Sequence, residues 1–169
     1  MNLIVAKTGA HEALLDWGQG ARRAATGRSG IGDKRAEGDG VTPIGTYALR
    51  RLLYRPDRVG VPHTGLPSAA IAPNDGWCDA PNDPRYNQPV KRPYRAGSEG
   101  LWRADHLYDL LAVIGFNDAP VVRGKGSAIF LHVARPNYGP TEGCVAIAMA
   151  DWHDLLPLLA PGDTITIRV

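Results

Sequence analysis

Apolar positions in this chain come in short runs separated by glycine, proline or charge, with no long amphipathic stretch. Leu3 to Lys7 is one such run, closed by Gly9 and of strand length. From His11 to Gly32, Ala, Arg and Gly mix without a sustained period, the pattern of hairpin strands. A charged, glycine-broken loop follows from Asp33 to Gly40, and then Val41-Thr42-Pro43-Ile44-Gly45. Ile44 to Tyr54 alternates faces as a strand, Tyr47, Leu49 and Leu53 against Arg50 and Arg51. Leu107 to Phe116 and Ala128 to Val133 are apolar runs of the kind that forms buried strands. The pattern predicts one helix, Asp151 to Ala160, with Asp151 as N-cap and Trp152, Leu155, Leu156 and Leu159 on one face. Pro157 must kink or shorten it. Thr164 to Val169 alternates Thr and Ile and closes the chain as a strand.

Pro56 to Gly100 breaks this rhythm. It is dense in proline and glycine, so no regular element of normal length is expected there. It is also too aromatic, from Trp77 to Tyr94, to be a flexible linker, and it reads as a long ordered excursion of the type that carries function.

Composition narrows the class. Twenty glycines and fourteen prolines in 169 residues disfavour a helix bundle and favour many short strands joined by turns. The length suits a single domain over residues 1–169, and 44% apolar residues supply an ordinary core. A formal charge of +2 is too near balance for a nucleic-acid binder driven by phosphate contacts. No apolar run has the length of a membrane span, and residues 1–7 lack the basic start and apolar stretch of a secretory signal. Two cysteines, Cys78 and Cys144, are too few for a disulfide scaffold or a four-thiolate zinc site.

Candidate chemistry concentrates between Ile129 and Ile147. His132 sits at the end of an apolar strand, and a turn-rich loop returns the chain to Gly143-Cys144 and a second apolar run. Strand ends joined this way lie side by side, which brings His132 toward Cys144. An imidazolium beside a thiol favours thiolate, so the pair suits nucleophilic catalysis with fast alkylation near neutral pH. Gly143 removes a Cβ where a carbonyl would approach, and amides of the Gly143-Cys144 turn are candidate oxyanion donors. Taken alone, such a pair is more commonly an inert buried thiol and a structural histidine. A zinc site on His132 and Cys144 lacks a close-spaced ligand pair, and no metal is expected. A Cys78–Cys144 disulfide would consume the nucleophile; Cys78 reads better as a packed thiol. His11, His63 and His153 read as surface or core residues, and His106 is the rival base.

With its flanking residues, the segment resembles the catalytic domain of the L,D-transpeptidase (YkuD-like) family. The resemblance rests on the strand histidine His132, on Thr141-Glu142-Gly143-Cys144-Val145, and on Gly38-Asp39-Gly40-Val41-Thr42-Pro43-Ile44-Gly45 as the family's Thr-Pro-x-Gly strand entry. Gly76-Trp77-Cys78-Asp79 and Leu101 to Tyr108 place it with a divergent, proteobacterial-type branch. Two positions depart from the family pattern: Glu142 stands where His is common, and Ala146 where Arg or Asn is.

The resemblance implies a mainly β fold, a mixed β-sheet or flattened barrel with one helix after the active-site strand and the long ordered loop over one face. It implies Cys144-dependent acyl transfer on peptidoglycan stem peptides, 3–3 or 1–3 cross-linking through a thioester, with His132 handling the proton and no cofactor. Alternatives are a carboxypeptidase or amidase that hydrolyses stem peptides, and a cell-wall binding module without turnover. Carbapenem-type β-lactams are implied as acylators, and a periplasmic or cell-wall location is expected although no signal peptide is visible. For substrate binding the expected residues are His106, Trp77, Arg135, Tyr108 and Thr141, the Trp77–Tyr94 loop and Trp102 walling the cleft. Arg85, Arg92 and Arg103 are further candidates to hold carboxylates.

Overall fold

The computed structural model describes residues 1–169. The chain runs β1 (Asn2–Lys7), β2 (Glu12–Asp16), β3 (Arg22–Ala25), β4 (Ile31–Gly32), β5 (Thr42–Pro43), β6 (Gly45–Tyr54) and β7 (Ser68–Ala70). It continues β8 (Asp75–Cys78), β9 (Pro89–Lys91), β10 (Ser98–Gly100), β11 (Leu110–Ile114), β12 (Phe130–Val133) and β13 (Val145–Ile147). Helix α1 (Met149–Leu155), a 3-10 turn (Leu156–Leu158) and β14 (Thr164–Arg168) complete it.

The large sheet runs β11-β12-β13-β3-β2-β1-β14-β6-β7, and β11 pairs a second time with β6, which closes it into a barrel. Within this sheet β1 with β14, β12 with β13 and β6 with β7 are parallel and the other pairings antiparallel; β4 and β5 form a separate parallel pair. The expected mainly β, flattened-barrel fold with one helix after the active-site strand is what the chain adopts.

Both faces of β11 to β13 are covered, which explains their unbroken apolar sequence. Leu110, Ala112, Ile114, Leu131, Val133, Val145 and Ile147 point into the barrel. On the outer face, Leu111, Val113, Phe130 and Cys144 join Trp77, Leu101 and Tyr108 in a second, smaller core beneath the Pro56–Gly100 excursion. That excursion holds more regular structure than its proline content suggests: β7 extends the barrel sheet, and β10-β8-β9 form a small antiparallel sheet of their own. Strands this short place their prolines at ends, where no ladder hydrogen bond is lost.

Three local expectations are corrected. In β6 a bulge shifts the register, Ala112 facing Leu52 but Ile114 facing Leu49, so Arg50 and Arg51 are both exposed. Leu52 and Tyr54 therefore face the barrel, and Leu53 packs on the outer core. The helix starts two residues earlier than expected, and its N-cap is Ala148. Asp151 instead occupies the third helical position, an acidic residue in the first turn, where the positive end of the helix dipole favours it. Pro157, lacking an N–H, ends α1 at Leu155 and leaves a single 3-10 turn.

Candidate active site

The parallel register Leu131↔Val145 and His132↔Ala146 places Cys144 one step before the first paired residue of β13, beside Phe130. Side chains alternate along a strand, so His132 and Cys144 share the outer face while their neighbours fill the barrel. Both line a cavity of about 420 Å³. The eleven-residue loop thus works as a short crossover between parallel neighbours and delivers the two groups to one wall.

The turn ahead of Cys144 is held by two threonines. Thr141 Oγ1 donates to the Cys144 carbonyl at 2.7 Å and accepts the Gly143 N–H at 3.2 Å. Thr42, from the Thr-Pro strand entry, accepts the Gly27 N–H at 2.7 Å and donates to the same Cys144 carbonyl at 3.3 Å. Gly143 has φ +134°, and a Cβ there would lie 2.9 Å from the Val41 carbonyl oxygen. Gly143→Ala should therefore cost about 1–3 kcal/mol of stability and displace Cys144. Thermal melting together with turnover checks this, with activity falling more steeply than stability. Because Thr141 already takes the Gly143 amide, the Cys144 amide is the better candidate oxyanion donor.

The resting thiol is not paired with the histidine. Cys144 Sγ donates to the Ala128 carbonyl at 3.2 Å and accepts the Phe130 N–H at 3.3 Å. His132 Nδ1 lies 2.9 Å from the Val133 carbonyl, which can only accept, so Nδ1 carries the proton and Nε2 is the basic nitrogen. Burial, with nearby Glu99 adding to it, pushes the Cys144 thiol up to about 12. Burial lowers His132 to about 4, and Arg103 and Arg135 push the same way. The expected imidazolium–thiolate pair is thus replaced at rest by two neutral groups, because desolvation outweighs the attraction available.

Charges of both signs ring the cavity. Lys34, almost fully buried, pairs with Asp39 at 2.5 Å, and Arg103 with Asp105 at 2.5 Å. Arg135, exposed at the rim, has no protein ion-pair partner. Tyr108 donates to Glu99 at 2.5 Å and packs edge-on against His132 at 5.4 Å. Glu37 accepts from Ser127 at 2.7 Å and from the Tyr86 hydroxyl. Sequence points to Lys34 and Glu37 only through the charged Asp33–Gly40 loop and to Asp79 only through the Gly76–Asp79 motif, and it carries no signal for Glu99 or Ser127 as cavity residues.

Of the residues expected at the site, Cys144, His132, Gly143, Thr141, Tyr108, Arg103 and Arg135 come together here. His106 does not: its ring is 71% exposed and its Nδ1 meets Asp109 at 2.7 Å, outside the cavity. Nor does Trp77, which is buried edge-on against Phe130 at 5.2 Å with its indole N–H on Asn87. Trp102 stacks under Arg55 at 3.7 Å. Arg85 donates to the Pro89 carbonyl, and Arg92 lies along Gly76 and Gly100. Of the Trp77–Tyr94 loop, Trp77 therefore belongs to the second core, and only Asp79 reaches the cavity. Both cysteines are free thiols, and Cys78 is fully buried in β8.

A family model for the YkuD L,D-transpeptidase catalytic domain matches residues 2–167. No curated protein matches the chain. Among solved structures, L,D-transpeptidase 1 of Mycobacterium tuberculosis is similar at TM-score 0.41 and 13% identity, covering 98% of this chain and 61% of that one. An L,D-transpeptidase from Mycobacterium smegmatis is similar at TM-score 0.41 and 13% identity, covering 99% of this chain and 58% of that one. The chain thus spans about three-fifths of the length of these solved relatives.

Proposed function

Because the chain belongs to the L,D-transpeptidase (YkuD) catalytic domain family, we propose that it carries out acyl transfer on peptidoglycan stem peptides through a Cys144 thioester. The observation that carries this reading is the placement of Cys144 and His132 on one wall of a cavity lined by both cations and carboxylates. His132 Nε2 takes the thiol proton as Sγ attacks the donor carbonyl, and the Cys144 amide faces the oxyanion that forms. Collapse breaks the amide bond, and His132 returns its proton to the departing amine. A second stem's amine then attacks the thioester, His132 accepts its proton, and Cys144 is released to be reprotonated.

Stem peptides bring carboxylates and an amine to the same site. Arg135, the cavity cation without a partner, is positioned to take a carboxylate bidentately, a role that Ala146 cannot fill. Glu99 and Asp79 are the candidate partners for an ammonium. Arg135→Ala should raise KM for the donor peptide about tenfold with kcat little changed, the loss of one charge-assisted contact. Steady-state kinetics on a purified stem peptide checks this; a fall in kcat alone would remove Arg135 from substrate binding.

Carbapenem-type β-lactams are proposed as acylators of the same thiol, and intact-protein mass should rise by one adduct in wild type but not in Cys144→Ala. Site of action is proposed as the periplasm or cell wall; no helix is long and apolar enough to cross a membrane. Digestion of purified sacculi followed by muropeptide mass spectrometry tests the whole reading. New dimers support transpeptidation, shortened monomers would replace it with hydrolysis, and an unchanged profile would leave a binding module.

A further inference from the structure

The Ala128 carbonyl that receives the Cys144 thiol belongs to a turn tied within its own loop by Asn117, whose Nδ2 donates to the Gly126 carbonyl at 2.9 Å, and from outside by the long excursion. Ala128 has φ +53°, a region that alanine rarely enters, and Gly126 has φ +129°. Two adjacent residues of the long excursion grip that turn. Tyr86 Oη accepts the Gly126 N–H at 2.9 Å, and its own proton goes to Glu37, which also takes the Ser127 hydroxyl at 2.7 Å. Asn87 Oδ1 accepts the Ala128 N–H at 3.1 Å and the Trp77 indole N–H at 2.9 Å. Asn87 Nδ2 donates to the carbonyls of Phe116 at 3.1 Å and Asn117 at 2.8 Å, so every hydrogen-bonding valence of this buried amide is used. Asn87 itself has φ +58°, the left-handed conformation that asparagine tolerates.

From this geometry we infer that Asn87 and Tyr86 are positioning residues for the Cys144 thiol, acting through the Gly126–Ala128 turn. The inference rests on the reading of Cys144 as nucleophile. The Ala128 carbonyl accepts from S–H and would repel S⁻, whereas the Phe130 N–H favours S⁻. Holding Ala128 in place therefore keeps the nucleophile protonated and seated until substrate arrives. His132, Tyr108, Glu99, Arg103, Lys34 and Glu37 face the same cavity, and none of them hydrogen-bonds to the Asn87 side chain.

The test is the pH profile of Cys144 alkylation by iodoacetamide, read peptide by peptide by mass, in wild type and Asn87→Gly. Glycine keeps the left-handed backbone and deletes only the amide. Loss of the Ala128 acceptor should lower the alkylation midpoint by about one pH unit, roughly a tenfold faster reaction at neutral pH. Over the same change kcat should fall about tenfold with KM held, because Sγ is no longer seated. Alkylation of Cys78 should not change. An unchanged Cys144 profile overturns the inference, and so does a parallel rise at Cys78, which would mean that the loop only supports the fold. Should Asn87→Gly not fold, Tyr86→Phe, which strips the Gly126 N–H of its acceptor and keeps the ring, must shift the Cys144 profile in the same direction or the inference fails. Turnover that survives Cys144→Ala would overturn the nucleophile and leave the alkylation result standing, so the two failures are distinguishable.

Discussion

Cys144→Ala should fold like the wild type and lose acyl transfer, while Cys78→Ala keeps most of it. Sγ of Cys144 borders the cavity, so its removal enlarges an existing space and opens no closed void. Its two hydrogen bonds go to backbone groups, and their loss costs about 1 kcal/mol, too little to unfold the domain. Chemistry has no such tolerance: without sulfur no thioester forms, and rates should drop by roughly 10⁴ or more. Cys78 is fully buried in β8 and absent from the cavity, so its truncation acts on packing alone, a loss of about 1–2 kcal/mol. Turnover of both variants on a stem peptide, set beside their melting temperatures, checks the pair. A dead Cys78 variant with an active Cys144 variant would reverse the assignment.

The free enzyme should alkylate slowly near neutral pH, and the rate should climb through the alkaline range. Only thiolate reacts, and burial moves Cys144 from an ordinary 9.0 to about 12, which reduces the thiolate present at pH 7 by roughly a thousandfold. Denatured protein should therefore react at Cys144 faster than native protein by about that factor. Turnover should follow a different group. His132 is lowered to about 4, so it is a neutral base from pH 7 down to mildly acidic conditions, and kcat/KM should fall only as pH drops through about 4. Proton transfer then happens with substrate bound, when the attacked carbonyl offers the thiolate somewhere to go. Iodoacetamide kinetics against pH, beside a pH–rate profile, distinguishes this from a preformed ion pair. Fast alkylation at neutral pH with a midpoint below that of free cysteine would establish the ion pair and remove the neutral resting state.

The sequence alone determined what depends on nearest neighbours along the chain. Glycine and proline spacing marked the strand breaks, the apolar runs at Leu107–Phe116 and Ala128–Val133 located β11 and β12, and the Gly143-Cys144 turn with its preceding histidine marked the chemistry. Pattern was insufficient where two faces are both buried: nothing in Phe130-Leu131-His132-Val133 says which residues enter the barrel and which enter the outer core. Nor does alternation reveal the β6 bulge, which moves Leu52 and Tyr54 inward in place of Leu53. Tertiary structure decided the electrostatics as well. Adjacent imidazole and thiol suggest a charged pair because they attract when ionised, yet burial favours the neutral form of both. It also decided that Trp77 and His106 stand outside the cavity, while Lys34, Glu37 and Glu99 line it. Tyr86 and Asn87 reach the Gly126–Ala128 turn from some forty residues away, and a hydrogen bond across such a separation leaves no periodic trace in sequence. Local steric and hydrophobic preferences are written residue by residue. Burial and long-range hydrogen bonding exist only once the barrel closes and the long excursion packs against it.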